Sequence, residues 1–166
     1  MPTLGLISDT HNLIRPEALA ALAGCAAIVH AGDICGPEVL AALARIAPVT
    51  AVRGNNDRGA WAAAIPEQAT LDIAGIRVFA VHDALDERRH PQAAQARVIV
   101  TGHSHRPALA DDGRVLRINP GSAGPRRFTL PIALALLHIA PGADGPALRV
   151  EFVNLAGDAA VPVASR

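Results

Sequence analysis

Lysine and tyrosine are absent from this chain of 166 residues, which also has a single Trp, a single Met and only two cysteines. All fifteen basic residues are therefore Arg, a mark of coding bias rather than of chemistry. Cys25 and Cys35 have no C-x-x-C spacing, which argues against a disulfide framework and leaves Cys35 as a small structural hydrophobe. Formal charge is zero and the Arg residues are scattered, so the basic stripe of a nucleic-acid footprint is missing and no stable nucleic-acid complex is expected. No apolar run is long enough to cross a bilayer, and Met1 to Leu4 lacks the pattern of a secretory leader; the expected location is cytoplasmic.

The chain does have ample apolar content, 51% by composition, enough for one core. Short apolar runs alternate with amphipathic segments in the first half, the pattern of β-α-β units. Strands are expected at Thr3 to Ser8, Ala26 to His30 and Pro48 to Val52, and Pro-led helices at Pro16 to Leu22 and Pro37 to Arg45. Trp61 to Ile65 reads as a short helix. In the second half Ala69 to Ile73 with Ile76 to His82, and Pro107 to Ala110 with Val115 to Ile118, read as antiparallel hairpins, the latter turning at Asp111-Asp112-Gly113. A short helix at Pro91 to Ala96, a buried strand at Val98 to Thr101, and a final pair at Leu130 to Ile139 and Ala147 to Leu155 complete the elements. One domain over 1–155 is expected, with 156–166 a weakly anchored tail.

Five of the apolar runs end in residues able to hold a metal: Asp9 and His11, Asp33, Asn55, His82, and His103 with His105. Each cluster follows the carboxyl end of a strand, the edge of an open α/β sheet at which ligands bind. Oxygen and nitrogen donors without thiolates suit Mn, Fe, Zn or a related divalent ion, and seven donors fit two ions better than one. Each has an ordinary reading in isolation. Asp9-Thr10-His11 could be a helix cap and turn, Asn55 a turn residue, His82 a satisfied core histidine. Five such endings on one sheet edge are hard to produce by independent accidents.

The segments D-T-H (Asp9 to His11), G-D (Gly32, Asp33), G-N-N-D (Gly54 to Asp57), His82 and G-H-S-H (Gly102 to His105), with the N-P-G-S turn of Asn119 to Ser122, resemble the calcineurin-like metallophosphoesterases, in particular their small single-domain bacterial and archaeal phosphodiesterases. The resemblance implies an α/β fold built as a four-layer α-β-β-α sandwich of two mixed sheets. It implies one metal on Asp9, His11, Asp33 and His105 and another on Asp33, Asn55, His82 and His103, with Asp33 as the bridge. Asp33, Asn55 and His103 are the implied catalytic residues, and Asn55 and Asn56 the implied substrate contacts. Two divalent ions are the implied cofactors, manganese first, with iron, zinc, nickel or cobalt as alternatives. The implied reaction is hydrolysis of a small phosphodiester by a hydroxide held between the ions; a homodimer is one expected assembly.

The chain departs from that pattern in two places. Asn56 stands where many relatives carry a His that assists the leaving group, and an amide donates no proton as an acid. Asp83-Ala84 follow His82 where related phosphodiesterases have Gly and another His. The competing function is a non-catalytic interaction scaffold, as relatives of this fold are in eukaryotic trafficking coats. His30 could support Asp33 or simply pack. Arg126 and Arg127 could meet a phosphate or be solvated.

Overall fold

The computed structural model describes residues 1–143 and 145–165. Among the described residues eleven strands form two sheets. The first has the order β10-β9-β1-β2-β3, with β1 Thr3–Ile7, β2 Ala27–His30, β3 Val49–Ala51, β9 Ala133–Ala140 and β10 Ala147–Asn154. The second has the order β11-β7-β8-β6-β5-β4, with β4 Gln68–Ile73, β5 Ile76–Val81, β6 Val98–Val100, β7 Ala108–Asp111, β8 Leu116–Asn119 and β11 Ala164–Ser165. Both are mixed: β1, β2 and β3 run parallel while β9 is antiparallel to β1, and β5, β6 and β8 run parallel between antiparallel β4 and β7.

The layering follows from alternation along each strand, since successive side chains leave opposite faces. Leu4, Leu6 and Val29 of the first sheet meet Val78, Val100 and Ile118 of the second in a shared core. Their neighbours Ile7 and Ile28 face the other way, onto Leu22 of α1 (Pro16–Leu22) and Leu43 of α2 (Pro37–Ala44). Phe79 and Ile99 face outward from the second sheet, where Ala93, Ala96 and Val115 cover them. Full burial of a side chain such as Phe79 stabilises by roughly 1.5–3 kcal/mol. The four-layer α-β-β-α arrangement expected from the resemblance is present, with its fourth layer made of 3-10 turns, Ala84–Arg89 and Pro91–Gln95, instead of α-helix.

Several boundaries shift for identifiable reasons. Both helices open on the prolines that announce them. The helix carrying Trp61 is a single turn, α3, at Ala60–Ala63. β9 starts at Ala133, three residues later than expected, because Pro131 has no N–H for a ladder and Ile132 makes only an isolated bridge to Ser122. Residues 84–89 carry no apolar periodicity and contribute no buried side chain, yet wind into a turn started by Asp83, whose carboxylate accepts the Leu85 N–H. After 155 the chain returns to the second sheet, where Ala164 and Ser165 pair in parallel with Ala108 and Leu109. Among the described residues no helix is long and apolar enough to cross a membrane.

Candidate metal centre

All seven sequence-derived donors converge at one end of the sandwich. Asp9, His11, Asp33 and Asn55 lie on loops leaving β1, β2 and β3 of the first sheet. His82, His103 and His105 lie on loops leaving β5 and β6 of the second. The centre therefore sits on the seam between the sheets.

Four donors form a tight group: single ligand atoms of Asp9, His11, Asp33 and His105 lie within 4.8 Å of one another. His11 Nε2 is 3.4 Å from His105 Nε2 and 3.7 Å from Asp33 Oδ2, and His105 Nε2 is 3.2 Å from Asp9 Oδ1. The remaining donors gather on the far side of Asp33. His82 Nε2 lies 3.5 Å from Asp33 Oδ1 and 3.0 Å from Asn55 Oδ1, which is itself 3.1 Å from His103 Nδ1. Asp33 thus turns Oδ2 toward one group and Oδ1 toward the other.

The fit to a cation rests on atoms that the protein leaves uncompensated. Asp9 is fully buried; its Oδ2 accepts from the Ser8 hydroxyl at 2.6 Å and the His103 N–H at 3.1 Å, whereas Oδ1, facing the cluster 3.2 Å from His105 Nε2, has no hydrogen-bond partner among the described residues. A buried carboxylate oxygen without a donor is costly unless a positive charge meets it. His82 is oriented for the same task, since its Nδ1 lies 2.7 Å from the Ala31 carbonyl and must donate to it, which turns Nε2 toward Asp33 and Asn55.

Backbone geometry points the same way. Nine non-glycine residues among those described have positive φ, and five of them are Asp9 (54°), His11 (46°), Asp33 (53°), His103 (66°) and His105 (58°). Left-handed backbone is tolerated by Asp and His better than by most residues but still carries strain, and strain of this kind collects at functional sites. Glycine is required where loops touch: a Cβ on Gly54 would fall on the backbone nitrogen and carboxylate of Asp33, and one on Gly102 on the Ser8 hydroxyl.

Hydrogen bonds hold the loops in register. His30 is fully buried, and burial drives its pKa down to about 4, so the ring is neutral at pH 7. Its Nδ1 accepts the Gly32 N–H at 3.2 Å; Nε2 therefore carries the proton and donates to Thr10 Oγ1 at 3.0 Å, which passes its own proton to the Ile34 carbonyl at 3.2 Å. His30 thus ties the Asp9 and Asp33 loops together. Asp57 accepts from the Cys35 and Gly54 N–H groups, both at 2.7 Å, bracing the Asp33 loop against the Asn55 loop. In the N-P-G-S turn, Asn119 Nδ2 donates to the Gly102 carbonyl at 2.7 Å and Ser122 Oγ to the Asp9 carbonyl at 2.9 Å. Ser8 and Thr10 have no part assigned from sequence beyond being short polar residues beside donor motifs, whereas Asn119 and Ser122 enter there only as ends of the N-P-G-S turn that carries the resemblance.

Charge follows this wiring. Burial pushes the Asp33 carboxyl up, but hydrogen bonds from His82 and from the Asn56 backbone and side chain outweigh it and hold the group well below the usual carboxylate range. Burial lowers the His82 imidazole, and its bonds to Asp33 and the Ala31 carbonyl reverse that to a net rise. His11 is lowered, chiefly by burial, against the pull of Asp33 and Asp9. Burial, followed by Asp57 and Asp33, pushes the Cys35 thiol up to about 11, so in the metal-free protein it is a neutral neighbour 3.5 Å from His11 Nδ1.

The centre opens from Asn55, His82 and His103 into a cavity of about 500 Å³, walled also by Arg53, Asp83 and Arg89. Asn56, read as a substrate contact, does not line that cavity; its amide donates to Asp33 Oδ2 at 2.7 Å and its N–H to Oδ1 at 2.8 Å. Arg126 bonds back to the Leu130 carbonyl at 3.4 Å, and His138 lies away from the centre between Thr3 and Glu151.

Comparison with solved structures finds the same fold in an archaeal phosphodiesterase, at a TM-score of 0.70 and 20% identity, covering 91% of this chain and 99% of that one. Vps29 of Entamoeba histolytica, solved in complex with zinc, superposes at a TM-score of 0.69 and 21% identity over 92% of this chain and 99% of its own. By sequence, a protein of Methanothermobacter thermautotrophicus named Probable metallophosphoesterase is 32% identical over 163 residues, 91% of each chain. The calcineurin-like phosphoesterase superfamily domain matches residues 3–142. With that match over the segment that carries every donor, the chain belongs to the calcineurin-like phosphoesterase superfamily.

Proposed function

We propose that this protein is a phosphodiesterase that works with two divalent ions, manganese foremost, on small phosphodiesters. The observation that carries the proposal is Asp33, whose two oxygens lie 3.7 Å from His11 Nε2 and 3.5 Å from His82 Nε2, one toward each donor group. A single carboxylate placed so would offer one oxygen to an ion in each donor group. Bound there, the ions would neutralise phosphoryl oxygens and lower the pKa of water from about 15.7 toward about 7.

The remaining work belongs to the chain. Asn56 keeps Asp33 in place through both of its oxygens. Asn55 and His103 stand at the cavity mouth, where the substrate phosphate would enter. Asn56 cannot act as a general acid, and Asp57 is spent on backbone N–H groups, so no residue in the Asn55 loop protonates the leaving group. Esters with stable leaving anions are the best substrates on this reading.

The test is metal-stripped protein titrated with Mn²⁺ and assayed on an aryl phosphodiester, an aryl phosphomonoester and a cyclic nucleotide. Diester turnover that requires metal and disappears in folded Asp33→Ala and His103→Ala is expected; turnover that survives in both refutes the proposal. The likeness to Vps29 supports a second reading, a non-catalytic interaction scaffold. Such a scaffold would take up the ion without turning over any of the three esters.

A further inference from the structure

The imidazoles of the centre are not equally supported. His82 and His105 are nearly buried, with side chains 6% and 5% exposed, and His11 is 16% exposed; the side chain of His103 is 47% exposed. His82 is fixed by the Ala31 carbonyl, and His11 packs against Cys35. From within the cluster His103 is oriented by an edge-on contact with the His82 ring, at 5.2 Å between centroids, and by Asn55 Oδ1 at 3.1 Å from Nδ1, both of them donor groups of the site themselves. Its Nδ1 is the atom turned to Asn55, which leaves Nε2 pointing away from the centre toward the cavity.

What stands there is Asp83. Its Oδ2 lies 3.8 Å from His103 Nε2, while its Oδ1 accepts the Leu85 N–H at 3.0 Å and starts the turn of residues 84–89. The separation is about 0.6 Å beyond the range of an N–H···O hydrogen bond. No other acidic group is paired with the His103 imidazole among the described residues. An imidazole that gives Nδ1 to a metal keeps its proton on Nε2, and a carboxylate facing that proton fixes both tautomer and ring angle.

We infer that Asp83 is a positioning residue for the second metal: independently of its cap on Leu85, it braces His103 through Nε2 and thereby sets the affinity of the Asp33, Asn55, His82 and His103 group for its ion. The inference rests on the two-ion reading above. Its cause lies in this chain's own sequence, where the residue after His82 is an acid.

The brace and the cap can be separated. Asp83→Ser keeps an oxygen to cap Leu85 but is too short to reach His103. Asp83→Asn keeps a single acceptor, enough to cap Leu85, and turns an NH2 donor toward His103. Leu85→Pro removes the capped N–H and leaves the carboxylate, at a side chain that is exposed. Calorimetric titration of metal-free protein with Mn²⁺, with circular dichroism to confirm folding, is expected to show two equivalents in the wild type. In Asp83→Ser one equivalent is unchanged and the other is weakened by about 10- to 100-fold, the usual effect of losing a ligand's support. Asp83→Asn shows the same loss as Asp83→Ser, and Leu85→Pro binds as the wild type does. Wild-type binding of both equivalents by Asp83→Ser overturns the inference, as does an equal loss in Leu85→Pro, which would make Asp83 a turn cap only. A wild type that takes up a single ion refutes the two-ion reading itself, an outcome distinct from either.

Discussion

Replacing His103 by glycine should leave the metal-free protein more stable than replacing it by alanine. Both variants delete the same imidazole, which is half exposed and packs little, so their difference isolates the backbone at φ 66°. Alanine held in the left-handed region costs about 1–2 kcal/mol, and glycine almost nothing. Glycine loses about 0.5–1 kcal/mol of that advantage through its greater freedom in the unfolded chain. The net expectation is about 0.5–1 kcal/mol in favour of His103→Gly. At roughly 2–4 °C per kcal/mol for a chain of this size, the melting temperatures should differ by about 1–4 °C. Urea denaturation of both variants in chelator measures the free-energy difference directly, and the m-values should agree. Equal midpoints, or a more stable alanine variant, would refute the claim that strain is stored at this donor. The control is Ala110, an ordinary strand residue, where Ala110→Gly should destabilise.

Asn56→His should raise turnover of alkyl phosphodiesters relative to aryl ones by at least about tenfold, the low side of general-acid assistance, measured as the ratio of kcat values for the two esters; an unchanged ratio means that position 56 lies out of reach of the leaving group. In metal-free protein, His30 has a folded pKa of about 4 against an unfolded 6.5, so the unfolded state binds its proton first and stability falls as pH drops from 6.5 to 4. That contribution, up to about 1.4 kcal/mol per pH unit, should vanish from the urea stability profile of His30→Asn, and a profile as steep as the wild type's counts against it. Gly54→Ala should cost about 1–3 kcal/mol, because its Cβ must displace the Asp33 loop, and should weaken Mn²⁺ uptake in calorimetry; uptake at wild-type affinity would show that the loop yields freely.

Much of the site was legible in the sequence because its donors are the terminal residues of apolar runs, and a run's end is a position that local patterning marks. Asp9, Asp33 and His82 each close a stretch of buried strand, and the sheet does the rest. What patterning could not reveal is anything that depends on a partner distant in the chain. Asp57 looks like a free acid beside Asn56; only the approach of the Asp33 loop makes it a double acceptor for Cys35 and Gly54. Asn56 reads as a substrate contact until Asp33 is found within reach of its amide. The turn at 84–89 was missed because none of its side chains is buried, so it left no hydrophobic period to find. The return of Ala164–Ser165 to the second sheet is likewise a pairing of backbones, written in no side chain.

Because donors reach the centre from both layers, a cation seated there is also a fastener. His11 and His105, on opposite sides of the seam, are 94 residues apart in the chain, and an ion held by both would stabilise the folded state, which alone brings them together. The layers could not peel apart at that end without first surrendering the metal. Chemistry and cohesion therefore share one set of atoms, and a chelator that silences this protein would at the same stroke unlatch it.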